Sequence, residues 1–253
     1  MFGVGRVAIV TGIGPGMGRS IALGLAAHGV DVVLAARRRE RLEAVADEVR
    51  ALGRDPVAIP TDITDRDACQ TLVDAAMSRF GHVDVLVQNG HHEGDWQPVA
   101  EADPDSWRAV MEVNLYGALH LVQLVIPIMK ERGAGSIVLV NSGAAVRFPV
   151  RMGAYVVSKS ALAGMTRVLA QEVGSCGIRV NGVFLGPVEG ENLTRMVGES
   201  DVDAWMTEKA KEMPLGRIPT ADECARAVLF LASDDASVVT GQHLSVNGGQ
   251  WCS

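Results

Sequence analysis

The chain has few cysteines, no basic block, no internal repeat and no Pro/Ser-rich linker. Each absence removes a class of protein. Cys69, Cys176, Cys224 and Cys252 are scattered through 253 residues without metal-type spacing, so free thiols in a reducing compartment are expected. Arg37-Arg38-Arg39 is the one basic cluster and the net charge is −7, which argues against nucleic acid as a partner. The most apolar long segment, Leu115 to Met129, is interrupted by His120, Gln123 and Pro127 and is expected to fall short of a membrane span. Arg6-Val7-Ala8-Ile9-Val10 looks like a first strand rather than a signal peptide. Without linkers or solenoid periods, residues 1–253 read as one domain. The expectation is a soluble, cytoplasmic protein.

What is present is apolar patterning. Apolar residues make up 48% of the chain, enough for one large core. Strand-like runs at Val7–Val10, Val32–Ala36, Val57–Ile59, Val83–Val87, 137–140, Ile178–Phe184 and Leu244–Val246 alternate with helix-like stripes. One stripe is Leu42, Val45, Ala46, Val49 and Leu52, closed by Gly53; another is Cys69, Leu72, Val73, Ala76 and Phe80, closed by Gly81. Asp103 and Pro104 read as N-cap and first position of a long helix to about Arg132, with a kink or break at Pro127. The Tyr155 helix runs to about Gly174, and a last helix covers about Ala221 to Ala232. The alternation predicts an α/β fold: a doubly wound parallel sheet of about seven strands with helices on both faces. Ligands then belong at the carboxyl ends of the strands.

Every polar cluster of interest falls at those ends. Gly12, Gly14, Gly16 and Gly18, with Met17 between the last two, join the first strand to the first helix. Glycines there let backbone N–H groups and a helix N-terminus approach a pyrophosphate. The second strand ends in Arg37 and Arg38, while Asp31 lies at its other end. An arginine suits a 2′-phosphate and a carboxylate suits ribose hydroxyls, so NADP(H) is expected over NAD(H). Ser142 ends the fifth strand, and Tyr155 and Lys159 stand four apart on one helix face. An ammonium beside a phenol lowers the phenol's pKa, which would equip Tyr155 as a general acid/base. His91 and His92 either approach the substrate or form an exposed loop pair; two histidines with no third ligand at a recognisable spacing do not make a metal site. The stretch 186–215 is long for a connection and reads as an irregular lid. Its Leu193, Met196, Trp205, Met206 and Met213 either face a partly apolar substrate or pack the lid down. Glu189 and Glu191 either meet a polar group or are solvated loop charge. The 143–153 loop, with Phe148 and Met152, should complete the pocket.

Taken in order, Thr11-Gly12-x-x-x-Gly16-x-Gly18, Asp62, Asn114, Ser142, Tyr155-x-x-x-Lys159, Arg179-Val180-Asn181 and Thr240-Gly241-Gln242 through Asn247-Gly248-Gly249 resemble the single-domain branch of the short-chain dehydrogenase/reductase family. The resemblance covers nearly the whole chain. It implies a Rossmann-like domain and an oxidoreductase that moves hydride between nicotinamide and a carbonyl or secondary alcohol. It also implies a tetrad in which Tyr155 handles the proton, Ser142 orients the substrate oxygen, Lys159 holds the nicotinamide ribose and favours the Tyr155 phenolate, and Asn114 anchors a water. By the same resemblance Asp62 and Ile63 would meet the adenine, Asn89 and Gly90 would pass beside the adenosine, Val188 would meet the carboxamide through its backbone, and Gly186 would be a further cofactor-binding residue. A homotetramer or homodimer is implied, pairing the 104–132 and Tyr155 helices. The sequence departs from the family pattern at His91, where a glycine is usual, at Leu185-Gly186 in place of Pro-Gly, at Gly190, where a threonine is common, and at Pro15. A non-catalytic dinucleotide sensor, and a Tyr-based epimerase or lyase, are the alternatives on the same fold.

Overall fold

The computed structural model describes residues 1–252, without the side chains of Asn192 and Met196; the reading of Met196 as a lid residue falls outside the described residues. Seven strands form one sheet: β1 Val7–Thr11, β2 Asp31–Ala36, β3 Val57–Pro60, β4 Val85–Gln88, β5 Gly135–Ser142, β6 Ile178–Leu185 and β7 His243–Val246. The order is β3-β2-β1-β4-β5-β6-β7 and every pairing is parallel. The helices are α1 Met17–Ala27, α2 Arg39–Ala51, α3 Arg66–Phe80, α4 Pro104–Met111, α5 Gly117–Arg132, α6 Ala144–Arg147, α7 Gly153–Val173, α8 Glu191–Val197, α9 Val202–Lys211 and α10 Ala221–Ala232.

Strand side chains alternate between faces, so each strand feeds two cores. In β1, Val7 and Ile9 enter the layer under α3, α5 and α7, while Ala8 and Val10 enter the layer under α1, α2 and α10. In β5, Ile137 and Leu139 take the first side and Val138 and Val140 the second. Burial on both faces explains why these strands read as unbroken apolar runs. Winding reverses between β1 and β4, and the cleft opens there.

The local signals do what their chemistry dictates. The Asp65 carboxylate accepts from the N–H groups of Asp67 and Ala68 at the start of α3, Asp103 accepts from Asp105 N ahead of α4, and Gly81 closes α3 in the left-handed conformation. Leu52 departs from its stripe: it is the C-cap of α2 and is exposed. Arg179 donates to the carbonyls of Leu231 at 2.7 Å and Ser233 at 2.9 Å, satisfying the end of α10. Asn181 donates to Val239 O at 2.8 Å and accepts from Gln242 N at 3.1 Å, which seats the turn before β7.

Three expectations change. The long helix is neither broken at Pro127 nor uniform: α5 continues to Arg132, and the irregularity is a π-helical turn at Glu112–Tyr116. Pro127 is tolerated because it and Gln123 both lie on the exposed side, where water can take the freed carbonyl. By length and apolar composition Pro104–Arg132 does qualify as a membrane span; in the fold its buried Leu121, Val122, Val125 and Met129 line the sheet. The stretch 186–215 is not irregular. It holds α8 and α9, whose Leu193, Val197, Val202, Trp205 and Met206 gather with Met213 and Ile218 into a small core of their own.

Candidate active site

A cleft of about 860 Å³ lies along the carboxyl ends of the strands. Its walls include Gly12, Gly16, Met17, Gly18, Arg37, Arg38, Asp62, Ile63, Asn89, Gly90, Ser142, Tyr155, Lys159, Gly186 and Val188. One cleft thus brings together every candidate site residue but Asn114.

The glycine turn is built for close approach. Gly12 has φ +67°, and a Cβ there would meet Gly90 N at 2.6 Å. A Cβ on Gly18 would strike the Gly12 carbonyl. Gly16, by contrast, faces open space with nothing within 4 Å, and it caps α1 without any side-chain cap hydrogen bond. A Cβ at Gly16 would fill the very cradle where a pyrophosphate could rest on the helix N-terminus. Asn89 locks the opposite wall to this turn: its Nδ2 donates to Gly12 O at 3.0 Å and its N–H to Thr11 Oγ1 at 3.1 Å. Beyond β2, Arg37 and Arg38 are exposed on the cleft rim. Asp31 is at the far end of β2, hydrogen-bonded to Arg54. Asp62 is engaged locally, accepting from Thr64 N at 3.0 Å and Thr64 Oγ1 at 2.8 Å.

At the other end of the cleft α7 presents Tyr155 and Lys159. Asn141 Nδ2 donates to Lys159 O at 3.0 Å, tying α7 to β5 beside Ser142. Tyr155 and Ser142 both face the cleft, and Ser142 is near enough to act on the Tyr155 phenol. Burial pushes the Tyr155 phenol up to about 12; the neighbouring Ser142 lowers it in part, and the Glu93 charge adds to the rise. The direction is opposite to the acidification expected from Lys159, because burial outweighs the other influences on the phenol. Lys159 is itself buried, which lowers its ammonium to about 8. Its Nζ lies 5.7 Å from the centre of the Tyr155 ring and donates backward to Val140 O at 3.1 Å.

Asn114 lies behind the cleft wall, fully buried in the π-turn. Its Nδ2 donates to His92 O at 2.8 Å and Ser158 Oγ at 2.9 Å, and its Oδ1 accepts from His92 N at 2.7 Å. Both amide donors are committed, which leaves one Oδ1 lone pair for a water.

Comparison with known proteins decides the family. Residues 12–250 match the family described as Enoyl-(Acyl carrier protein) reductase. The 3-oxoacyl-(acyl-carrier-protein) reductase FabG of Thermotoga maritima is 35% identical over 252 residues, covering 97% of each chain. The chain belongs to the short-chain dehydrogenase/reductase family. It resembles the structure of 7α-hydroxysteroid dehydrogenase complexed with NADH and 7-oxo glycochenodeoxycholic acid, at 34% identity, TM-score 0.90 and 98% coverage of both chains. It also resembles the L-sorbose reductase of Gluconobacter frateurii complexed with NADPH and L-sorbose, at 29% identity and TM-score 0.94, covering 99% of this chain and 98% of that one. As a short-chain dehydrogenase/reductase it is an oxidoreductase acting on alcohol or carbonyl groups.

Arg41, Glu93, Arg147 and Trp251 are among the residues of this short-chain dehydrogenase/reductase that line the cleft and carry no motif in the sequence. Trp251 reaches the cleft because the tail folds back, with Asn247 Nδ2 donating to Trp251 O at 2.8 Å. Its ring packs on Gly143, where a Cβ would collide with it, and Arg147 sits 5.5 Å over that ring. Glu93 stands 3.8 Å from His91 Nε2, and the neighbouring His91 holds its carboxyl below the usual range against the rise from burial. His91 and His92 border the cleft while remaining exposed. The sequence signal for Arg41 was its place three residues after Arg38, on the same helical face. Glu93 and Trp251 carry no such periodic mark.

Proposed function

We propose that this chain is an NADP(H)-preferring reductase/dehydrogenase for a small, partly apolar carbonyl compound or secondary alcohol, with Tyr155 as general acid/base. The observation that carries the reading is that Tyr155, Ser142 and Lys159 share the wall of a cleft whose far end is the open cradle at Gly16. The glycine turn and the N-terminus of α1 would hold the pyrophosphate, Asp62, Ile63, Asn89 and Gly90 the adenosine, and Gly186 and Val188 the carboxamide end. Arg37 and Arg38, with no carboxylate at the end of β2, favour a 2′-phosphate. When bound, the nicotinamide supplies or accepts the hydride.

The protein's own part is to orient and to move one proton. Ser142 Oγ and the Tyr155 hydroxyl together can hold the substrate oxygen. A phenol kept protonated through neutral pH is suited to give that proton as a carbonyl is reduced. Lys159 would meet the nicotinamide ribose, turning from the Val140 carbonyl. Asn114 would act by fixing the 91–93 loop and through its remaining lone pair. Trp251, Trp205 and Leu193 make the substrate end partly apolar.

A homotetramer, or a homodimer, is the assembly we favour. Tyr116, Val157 and Val168 expose apolar side chains near α5 and along α7, the helices expected to pair. Steady-state rates with NADPH and NADH over ketones, aldehydes and secondary alcohols of graded size test the whole reading. NADPH-dependent ketone reduction is expected; a clear NADH preference would contradict the cofactor assignment.

A further inference from the structure

An ion pair spans the mouth of the dinucleotide half of the cleft, between residues 150 apart in the chain. Arg41, in the first turn of α2, places Nη2 at 2.6 Å from Oε1 of Glu191, in the first turn of α8. Its Nη1 reaches over the glycine turn, 3.6 Å from where a Cβ on Gly14 would stand. Arg38, Arg41, Glu191 and Arg195 all border this cleft. The Glu191 carboxyl is held below its usual range by the hydrogen bond from Arg41 and by the charges of Arg41, Arg38 and Arg195. A lid carboxylate thus sits among arginines at the strand end where the chain supplies no carboxylate of its own from β2.

An arginine group of this kind suits a phosphate better than a carboxylate, because a phosphate brings more charge and three acceptor oxygens to forked donors. We propose that Glu191 is an internal competitor for the cofactor's 2′-phosphate: it holds Arg41 in the free protein and gives it up when the 2′-phosphate arrives, freeing α8 from α2. The inference rests on the NADP(H) reading above. It makes Glu191 a specificity-determining residue of the lid that tunes 2′-phosphate affinity downward. It also couples the start of α8 to the adenosine site, since by linkage whatever releases Glu191 from Arg41 must favour phosphate binding to the same extent.

The test is calorimetric titration of the full chain with adenosine 2′,5′-bisphosphate and with 5′-AMP, which differ by the 2′-phosphate alone. Wild type, Glu191→Gln, Arg41→Met and the double variant are compared. Glu191→Gln is expected to tighten the bisphosphate by about two- to fivefold, the modest scale of a part-exposed pair, and to leave 5′-AMP unchanged. In the Arg41→Met background the gain should vanish. An unchanged bisphosphate affinity in Glu191→Gln, or the same gain in the absence of Arg41, would overturn the inference while leaving the NADP(H) reading intact. A wild type that binds 5′-AMP as tightly as the bisphosphate would overturn both.

Discussion

Asn114 grips the backbone of His92 at both its N–H and its carbonyl, at 2.7 and 2.8 Å, and spends its other donor on Ser158. One buried amide thereby fixes the loop that carries Glu93 into the cleft. Asn114→Ala takes the partner from the His92 N–H and carbonyl, at about 1–3 kcal/mol for each group left unpaired and buried, while Ser158 Oγ keeps its bond to Tyr155 O. The expected result is a lower denaturation midpoint and faster hydrogen exchange at the His92 amide than in the wild type, where Asn114 Oδ1 accepts from it. Unchanged exchange at His92 would show that the loop is held by something else.

Lys159 is buried at the expense of stability. Burial lowers its ammonium from 10.5 to about 8, so the folded state binds fewer protons than the unfolded chain between those values. Stability therefore rises with pH across about 8 to 10.5, and the full cost of burying the charge is felt below pH 8. Lys159→Met should stabilise the free protein at pH 7 by about 1–3 kcal/mol, a burial gain reduced by the lost Val140 hydrogen bond. The gain should fade above pH 10.5 and be accompanied by loss of turnover. Denaturant curves at pH 7 and pH 10.5 read it; equal gains at both would contradict the burial argument.

The Tyr155 phenol, raised to about 12, keeps its proton throughout the neutral range. Carbonyl reduction should be level in kcat/KM from pH 6 to pH 8, whereas alcohol oxidation, which needs a proton acceptor, should climb with pH over the same span. Rates in both directions over that range provide the check. Oxidation that is flat from pH 6 upward would mean that the phenol is already ionised, as the Tyr-x-x-x-Lys spacing alone suggested.

The glycine turn separates folding from binding. Gly12→Ala forces a Cβ into Gly90 at a positive φ and should destabilise the protein, by roughly 1–3 kcal/mol for strained backbone. Gly16→Ala meets no protein atom within 4 Å. It should fold with near wild-type stability yet bind dinucleotide at least tenfold more weakly, because its methyl occupies the pyrophosphate cradle. Thermal melts paired with titrations distinguish the two variants; full affinity in Gly16→Ala would move the pyrophosphate elsewhere.

The strands and most helix ends were legible because their causes are local. Runs such as Val7–Val10 can only be doubly buried strands, and Asp65, Gly81 and Asp103 act within one helical turn. The π-turn at 112–116 was not legible, because it goes with a contact between Asn114 and His92, 22 residues apart. Nor were α8 and α9, whose apolar residues find partners only in Met213 and Ile218. In the site, residues in spaced motifs were found together on the cleft. Glu93 and Trp251 escaped because only tertiary placement brings them to the cleft. The direction in which the Tyr155 phenol shifts was not legible for a related reason. Spacing puts Lys159 near the ring, but burial and the Val140 carbonyl decide what its charge does there.

The central claim is that the Tyr155 hydroxyl handles the proton while the cleft holds the dinucleotide without it. Tyr155→Phe removes one oxygen and keeps the ring against Lys159. NADPH titration by cofactor fluorescence should give a Kd within about twofold of wild type, while turnover with any substrate the wild type accepts falls by about 10²–10⁴. Turnover within tenfold of wild type, with cofactor binding intact, would contradict the account.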